Sequence, residues 1–359
     1  RSEPEIKDGR GLSLFLCERG PRIRVRHLEH KLGIHGSPTC ELVYDDTPAK
    51  LIGERQRGLI TYVMSLMNGA RVGIAGQSLG IAEAAYRVAR QYAHTRKQFG
   101  MAIERLPAVA ELLVDMKVAI EAARALTYET SRICDLENNN LRVMEFNKPT
   151  DPEELKERRA NSRTWKRLNG MLTPMSKYYA SEMSVRVTNE ALQVLGGSGY
   201  MTDYPVERYL RDARITTIYE GTSQLQVVAA VRGVCSGAFE KYVIDFEQIN
   251  YDNPELQSLK QQLVEGRELV LKGIAFIKQQ GAEYMDLAGR KLVDAAILVL
   301  VGHLFLQQAV ANERKARVAH RFINVNMPTL RRDIELVCSG DVSATQQFDT
   351  IAGPPPSGF

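Results

Sequence analysis

The sequence predicts a mainly α-helical chain in which the remnant of a β domain precedes a helical bundle and an extra C-terminal helical domain. Three observations carry that reading. Short runs with β signals are confined to the first 58 positions. From Leu59 onward apolar residues recur at helical spacing. The composition, 44% apolar and 25% charged over 359 residues, is that of a globular chain long enough to bury a large core without covalent staples. The boundaries expected are 1–56 for the last part of the β domain, 57–248 for the bundle, 249–345 for the extension and 346–359 for a tail.

In the β part, residues 12–17 form a short apolar run, 22–27 alternate basic with β-branched residues, and 41–44 follow a Gly-Ser-Pro-Thr turn. Three or four short strands bury little core alone, and residues 1–9 read like the interior of a domain, so a C-terminal fragment of a longer protein is expected. Residues 59–94 then form a long helix whose recurring small residues, Gly69, Gly73, Gly76 and Gly80, let neighbouring helices approach. A second helix is expected over 106–136, ended by Asn138, Asn139 and Asn140. A third runs from a charged start near Asp151 to Gly196 and Gly197, and a fourth from Thr222 to about Phe246. Three or four more helices fill 255–340, among them the apolar run 295–306, too short to span a bilayer and read as buried.

Charge and cysteine usage exclude several classes. A net charge of +4 is small and dispersed, which does not point to nucleic acid but leaves phosphate-bearing ligands open. Five cysteines with no close pair fit neither a disulfide framework nor a zinc site, and imply a reducing compartment. His27, Glu29 and His30 come nearest to metal-ligand spacing but read as a strand edge or turn, so no metal is expected.

Four places could carry chemistry. In ITTIYEGTSQ at 215–224, a β-branched run leads into Glu220, Gly221 and a helix capped by Thr222 or Ser223. A carboxylate there could act as a general base once substrate excludes water, although an acid near a helix N-terminus is also ordinary. RKQFG at 96–100 reads either as cations complementing a helix C-terminus or as an anion clamp, with Arg96 on phosphate oxygens and Phe99 on a ring. QVLGGSGY at 193–200 has the look of a phosphate loop, but its glycines follow a helix, as a C-cap would. Arg71 stands among small apolar residues, where an arginine needs a partner or a role.

In this order and at these separations the motifs resemble the acyl-CoA dehydrogenase family. RKQFG at 96–100, QVLGGSGY at 193–200, YPVERYLRDARITTIYEGTSQLQ at 204–226 and KLGIHGSPTCELVYDD at 31–46 carry the likeness over residues 10–235. Residues 240–359 resemble the helical extension of the larger bacterial members, such as those acting on 3-methylmercaptopropionyl-CoA. The resemblance implies a four-helix bundle, assembly as a homodimer or homotetramer, FAD as cofactor, an acyl-CoA substrate of the fatty-acid β-oxidation type and an electron-transfer flavoprotein as acceptor. It implies a cytoplasmic location in a bacterium, or the mitochondrial matrix in a eukaryote, with no membrane span and no nucleic-acid partner.

By motif match, Glu220 is the base that removes the α-proton of the thioester. Arg71 and Gly221 lie at the substrate. Thr222 and Gln224 lie against the flavin or its diphosphate, Arg96 and Phe99 reach the FAD of the neighbouring subunit, and Gln193, Gly196 and Gly197 line its adenosine side. One subgroup of the family carries its base one position before the arginine; Ala70 occupies that place. Two departures stand out: Leu106 and Pro107 replace a flavin-contacting glutamine, and Asn68 replaces an aspartate three residues before Arg71. An acyl-CoA oxidase, a non-catalytic helical scaffold of the same fold, and a membrane-associated role for 255–340 are the alternatives.

Overall fold

The computed structural model describes residues 1–356, and 72% of the chain is helical, in accord with the fold class expected. Four short strands open it: β1 (Leu14–Leu16), β2 (Ile23–Leu28), β3 (Cys40–Tyr44) and β4 (Lys50–Ile52). β1 pairs antiparallel with β4 and β2 with β3, giving two separate ladders rather than one sheet. Phe15, Leu16, Val25 and Leu28 are exposed, because a two-stranded ribbon has no second layer against which to bury them.

The helix α1 (Met64–Thr95) follows a π-helical turn at Gly58–Val63. Its inward stripe is alanine: Ala75, Ala82, Ala85, Ala89 and Ala93 are fully buried, with Leu79 among them. The glycines expected to admit a close neighbour lie elsewhere. Gly69, Gly73, Gly76 and Gly80 are exposed, and a Cβ on any of them would meet nothing within 4 Å. Nor does the helix carry the whole of RKQFG. After Thr95 the chain turns into β5 (Lys97–Gln98) and β6 (Met101–Ala102), joined by Phe99 and Gly100 at φ 53° and 80°. Two successive positive φ values make a hairpin turn whose twist matches its strands.

The second helix, α2 (Pro107–Phe146), is not stopped by the three asparagines. Asn140 is buried, and its amide donates to the Arg158 carbonyl (3.1 Å) and Ser162 Oγ (2.6 Å) of α3 (Pro152–Leu195). A side chain satisfied by the next helix no longer competes with its own backbone. As expected, α3 ends at Gly196. The single turn α4 (Gly197–Tyr200) and α5 (Val206–Arg214) follow. The β-branched run then forms a 3₁₀ turn at Ile215–Thr217, where the hydroxyls of Thr216 and Thr217 donate to the carbonyls of Ala213 and Arg214.

The single helix expected over 222–246 is two, α6 (Ser223–Cys235) and α7 (Ala238–Glu247), because Gly237 takes φ 86° between them. The extension comprises α8 (Pro254–Gln280), α9 (Ala282–Ala311) and α10 (Glu313–Val337). Two short helices, α11 (Ser343–Gln346) and α12 (Phe348–Ala352), reach into the expected tail. The chain divides into two compact units, Arg1–Leu113 with Ser181–Glu220, and Val114–Ala180 with Gly221–Phe359.

The apolar run 295–306 lies inside α9, a 30-residue helix that by length and composition alone could cross a membrane. It packs instead as a core element: 78% of its most apolar window is buried. His303 sits within this run, 0% exposed, and neither ring nitrogen has a hydrogen-bond partner. Burial, reinforced by the cations of Lys260 and Arg267 on α8, pushes its pKa down to about 4. The unfolded chain therefore binds the proton more readily, and stability falls as the pH drops from about 6.5 to 4, by up to about 3 kcal/mol. His303→Leu should flatten that part of the pH–stability curve in urea unfolding, without loss of stability at pH 7. A wild-type pH dependence in the variant would exclude His303 as its source.

Candidate active site around Glu220

Within the first unit, the turn 219–220 lies against one stretch of α1. Arg71 donates from Nε to the main-chain oxygen of Glu220 (3.2 Å) and from Nη1 to Asn68 Oδ1 (3.0 Å), one turn earlier on the same helix. Tyr219 donates its hydroxyl to Gln77 Oε1. Asn68 thus still serves the arginine, as a neutral acceptor. Burial lowers the pKa of Arg71, opposed by the charge of Glu220, and burial raises that of Tyr219.

Glu220 itself is half-buried and takes φ 54°, followed by Gly221 at φ 95°. A glutamate in the left-handed region costs about 1–3 kcal/mol, and such strain persists only where surrounding contacts over-determine it. The glycine after it accepts the second positive φ freely.

In the second unit, the Gly221 carbonyl accepts from Lys177 Nζ (2.8 Å) and Gln226 Nε2 (3.3 Å). Thr222 caps α6, its Oγ1 accepting from the Leu225 amide (3.4 Å). Gln224 is exposed, with its amide on the Asp286 carbonyl (3.4 Å). Sequence reasoning did not single out Lys177, Gln226, Gln77 or Tyr219. The one available signal was a lysine inside the otherwise uncharged stretch 168–181.

The remaining candidates face solvent. Arg96 follows the last residue of α1, and Phe99, 84% exposed, stands at the tip of the β5–β6 hairpin. Gln193, Gly196 and Gly197 lie exposed at the end of α3. The Gly196 amide donates to the carbonyls of Leu192 and Gln193, so this glycine does cap a helix. At φ 59°, ψ −135° it also occupies a region nearly closed to other residues. Gly196→Ala should therefore lose about 1–3 kcal/mol of stability although a Cβ there meets no neighbour. An unchanged thermal midpoint would refute this.

Residues 57–148 and 154–234 match the family model described as acyl-CoA dehydrogenase, C-terminal domain, and residues 235–338 match that described as acyl-CoA dehydrogenase C terminal. The chain belongs to the acyl-CoA dehydrogenase family. A relative, the short-chain-specific acyl-CoA dehydrogenase of Clostridium acetobutylicum, is 38% identical over 224 residues, 61% of this chain and 51% of the relative. Among solved structures, Caenorhabditis elegans ACDH-11 in complex with C11-CoA aligns with a TM-score of 0.76 and 26% identity, over 94% of this chain and 58% of that one. The Bacillus anthracis acyl-CoA dehydrogenase complexed with FAD shares the fold, with a TM-score of 0.73 and 22% identity over 91% of this chain and 58% of that one. The chain spans about half the length of the curated acyl-CoA dehydrogenase relatives it matches.

Among the described residues, no group of three or more His, Cys, Asp or Glu side chains is placed to hold a metal ion.

Proposed function

We propose that this chain carries the base-bearing part of an FAD-dependent acyl-CoA dehydrogenase, which converts an acyl-CoA thioester to the trans-2-enoyl-CoA. The observation that carries this reading is Glu220, held in a strained left-handed conformation with the Arg71 guanidinium on its main-chain oxygen. Glu220 takes the α-proton. An unstrained surface acid would need neither the conformation nor the clamp, and a general base must be held in one orientation toward the proton it removes.

The chain's residues fit FAD. Arg96 offers a fork of donors to a diphosphate and Phe99 a free aromatic face, both exposed. At Gly196 and Gly197 open space stands where a side chain would be, leaving the backbone approachable. Gln193, Thr222 and Gln224 present polar groups at the surface. FAD, when bound, supplies the acceptor for the β-hydrogen as hydride. An exposed Arg96 and Phe99 suit contact with the cofactor of a second copy, and hence a homodimer or homotetramer. An electron-transfer flavoprotein is the electron acceptor in this reading.

The test is anaerobic mixing of the native full-length protein with saturated acyl-CoAs of stepped length, following the visible flavin absorbance. Bleaching by a subset of lengths, with trans-2-enoyl-CoA formed, supports the reading and names the substrate class. Purified protein that neither holds nor takes up flavin would overturn it.

A further inference from the structure

We propose that Lys177 is a positioning residue for the base: its ammonium group, seated on the Gly221 carbonyl, anchors the Gly221–Thr222 peptide, the far side of the turn from which Glu220 projects. This rests on the reading of Glu220 as the proton-abstracting base.

Lys177 is 0% exposed and is one of the largest side chains buried in the protein. It lies on α3, three residues after Pro174 and between the buried Met175 and Tyr178. Taking an ammonium out of water is costly, and a methionine would fill similar space without that cost. The ammonium donates to a backbone oxygen 2.8 Å away, a charge-assisted bond stronger than a neutral one. That oxygen also accepts from Gln226, itself 1% exposed, on α6. Two buried donors from two helices thus converge on one carbonyl.

The need is not one of helix capping, because Thr222 already accepts from the Leu225 amide. It lies in the turn itself. Glu220 and Gly221 carry successive positive φ values, which local preference does not hold for a glutamate. Fixing the carbonyl of Gly221 sets the plane of the Gly221–Thr222 peptide, so the turn is held on the side that follows Glu220 as Arg71 holds the Glu220 main-chain oxygen before it. The carboxylate direction follows from that anchoring, and small misplacements of a catalytic group are expensive in rate.

The experiment compares Lys177→Met, Gln226→Leu and Glu220→Gln with wild type in the native full-length protein with FAD bound. Stopped-flow bleaching by saturating acyl-CoA gives a rate constant that does not depend on the fraction of active enzyme. Lys177→Met should lower this rate constant about tenfold or more while the acyl-CoA concentration for half-maximal rate changes only a few-fold. A wild-type rate constant in folded Lys177→Met overturns the proposal. If that variant does not fold, Gln226→Leu decides: a drop of about threefold or more supports positioning, and a wild-type rate overturns it. Glu220→Gln separates the two claims. If it bleaches as fast as wild type, the base assignment falls; if it is slow while the Lys177 and Gln226 variants keep the wild-type rate, only the positioning role falls.

Discussion

Glu220→Gln should lower the rate constant of acyl-CoA-dependent flavin bleaching by about 10²–10⁴-fold, the usual contribution of a positioned general base. Flavin content and acyl-CoA affinity should stay within a few-fold of wild type. Glutamine keeps the shape of the side chain and removes only its ability to take a proton. It also preserves the clamp, because Arg71 binds the main-chain oxygen of residue 220 rather than the carboxylate. Glu220→Gly in the same series should be as slow but no less stable than wild type, since glycine carries φ 54° without strain. Stability gained where activity is lost marks a strain kept for function. Equal bleaching in Glu220→Gln and wild type would remove the residue from its role.

The largest stability effect is expected at Glu121. On α2 it is 3% exposed, with Oε1 accepting from Arg314 (2.7 Å) and Oε2 from Lys315 (2.6 Å), both in the first turn of α10. Burial raises its pKa, but the bonds from Lys315 and Arg314 and their charges outweigh burial, and the net shift is downward. Removing one partner of a buried pair costs about 3–5 kcal/mol, because the remaining charge is left without compensation. Glu121→Ala should fall at the lower end, about 3 kcal/mol, since the Arg314 side chain is 58% exposed and can turn to water. Urea unfolding measures the difference. In the neighbouring pair of Arg321 with Asp115 the carboxylate is far more exposed, at 40%, and Asp115→Ala should cost about 1 kcal/mol or less. Equal losses in the two variants would show that burial does not decide the ranking.

Glu121 and His303 also divide the acid response. A carboxylate held below its ordinary pKa stabilises fully above about 4.5 and loses that contribution as the pH falls further. His303 acts earlier, between about 6.5 and 4. Acid unfolding should therefore proceed through two ranges, the upper one absent in His303→Leu and the lower one reduced in Glu121→Ala.

The change of periodicity at Leu59, the end of α3 at Gly196, a helix cap at Thr222 or Ser223 and a further helix from residue 255 were all legible in the sequence. Each depends on residues within a turn of one another, and local chemistry settles it. The motif in which it stands marked Glu220 as the candidate base. What local chemistry could not settle depends on partners far along the chain. Asn140 fails to end α2 because Arg158 and Ser162, on another helix, take its amide. The glycines of α1 face water because its alanine stripe supplies the packing face. Lys177 sits 44 residues before the carbonyl it binds, and its uncharged neighbours in sequence do not point to that partner. The left-handed turn at Glu220 is of the same kind. No residue within it favours that conformation except the following glycine, and the contacts that hold it come from helices formed elsewhere in the chain, so the strain exists only once the fold is complete.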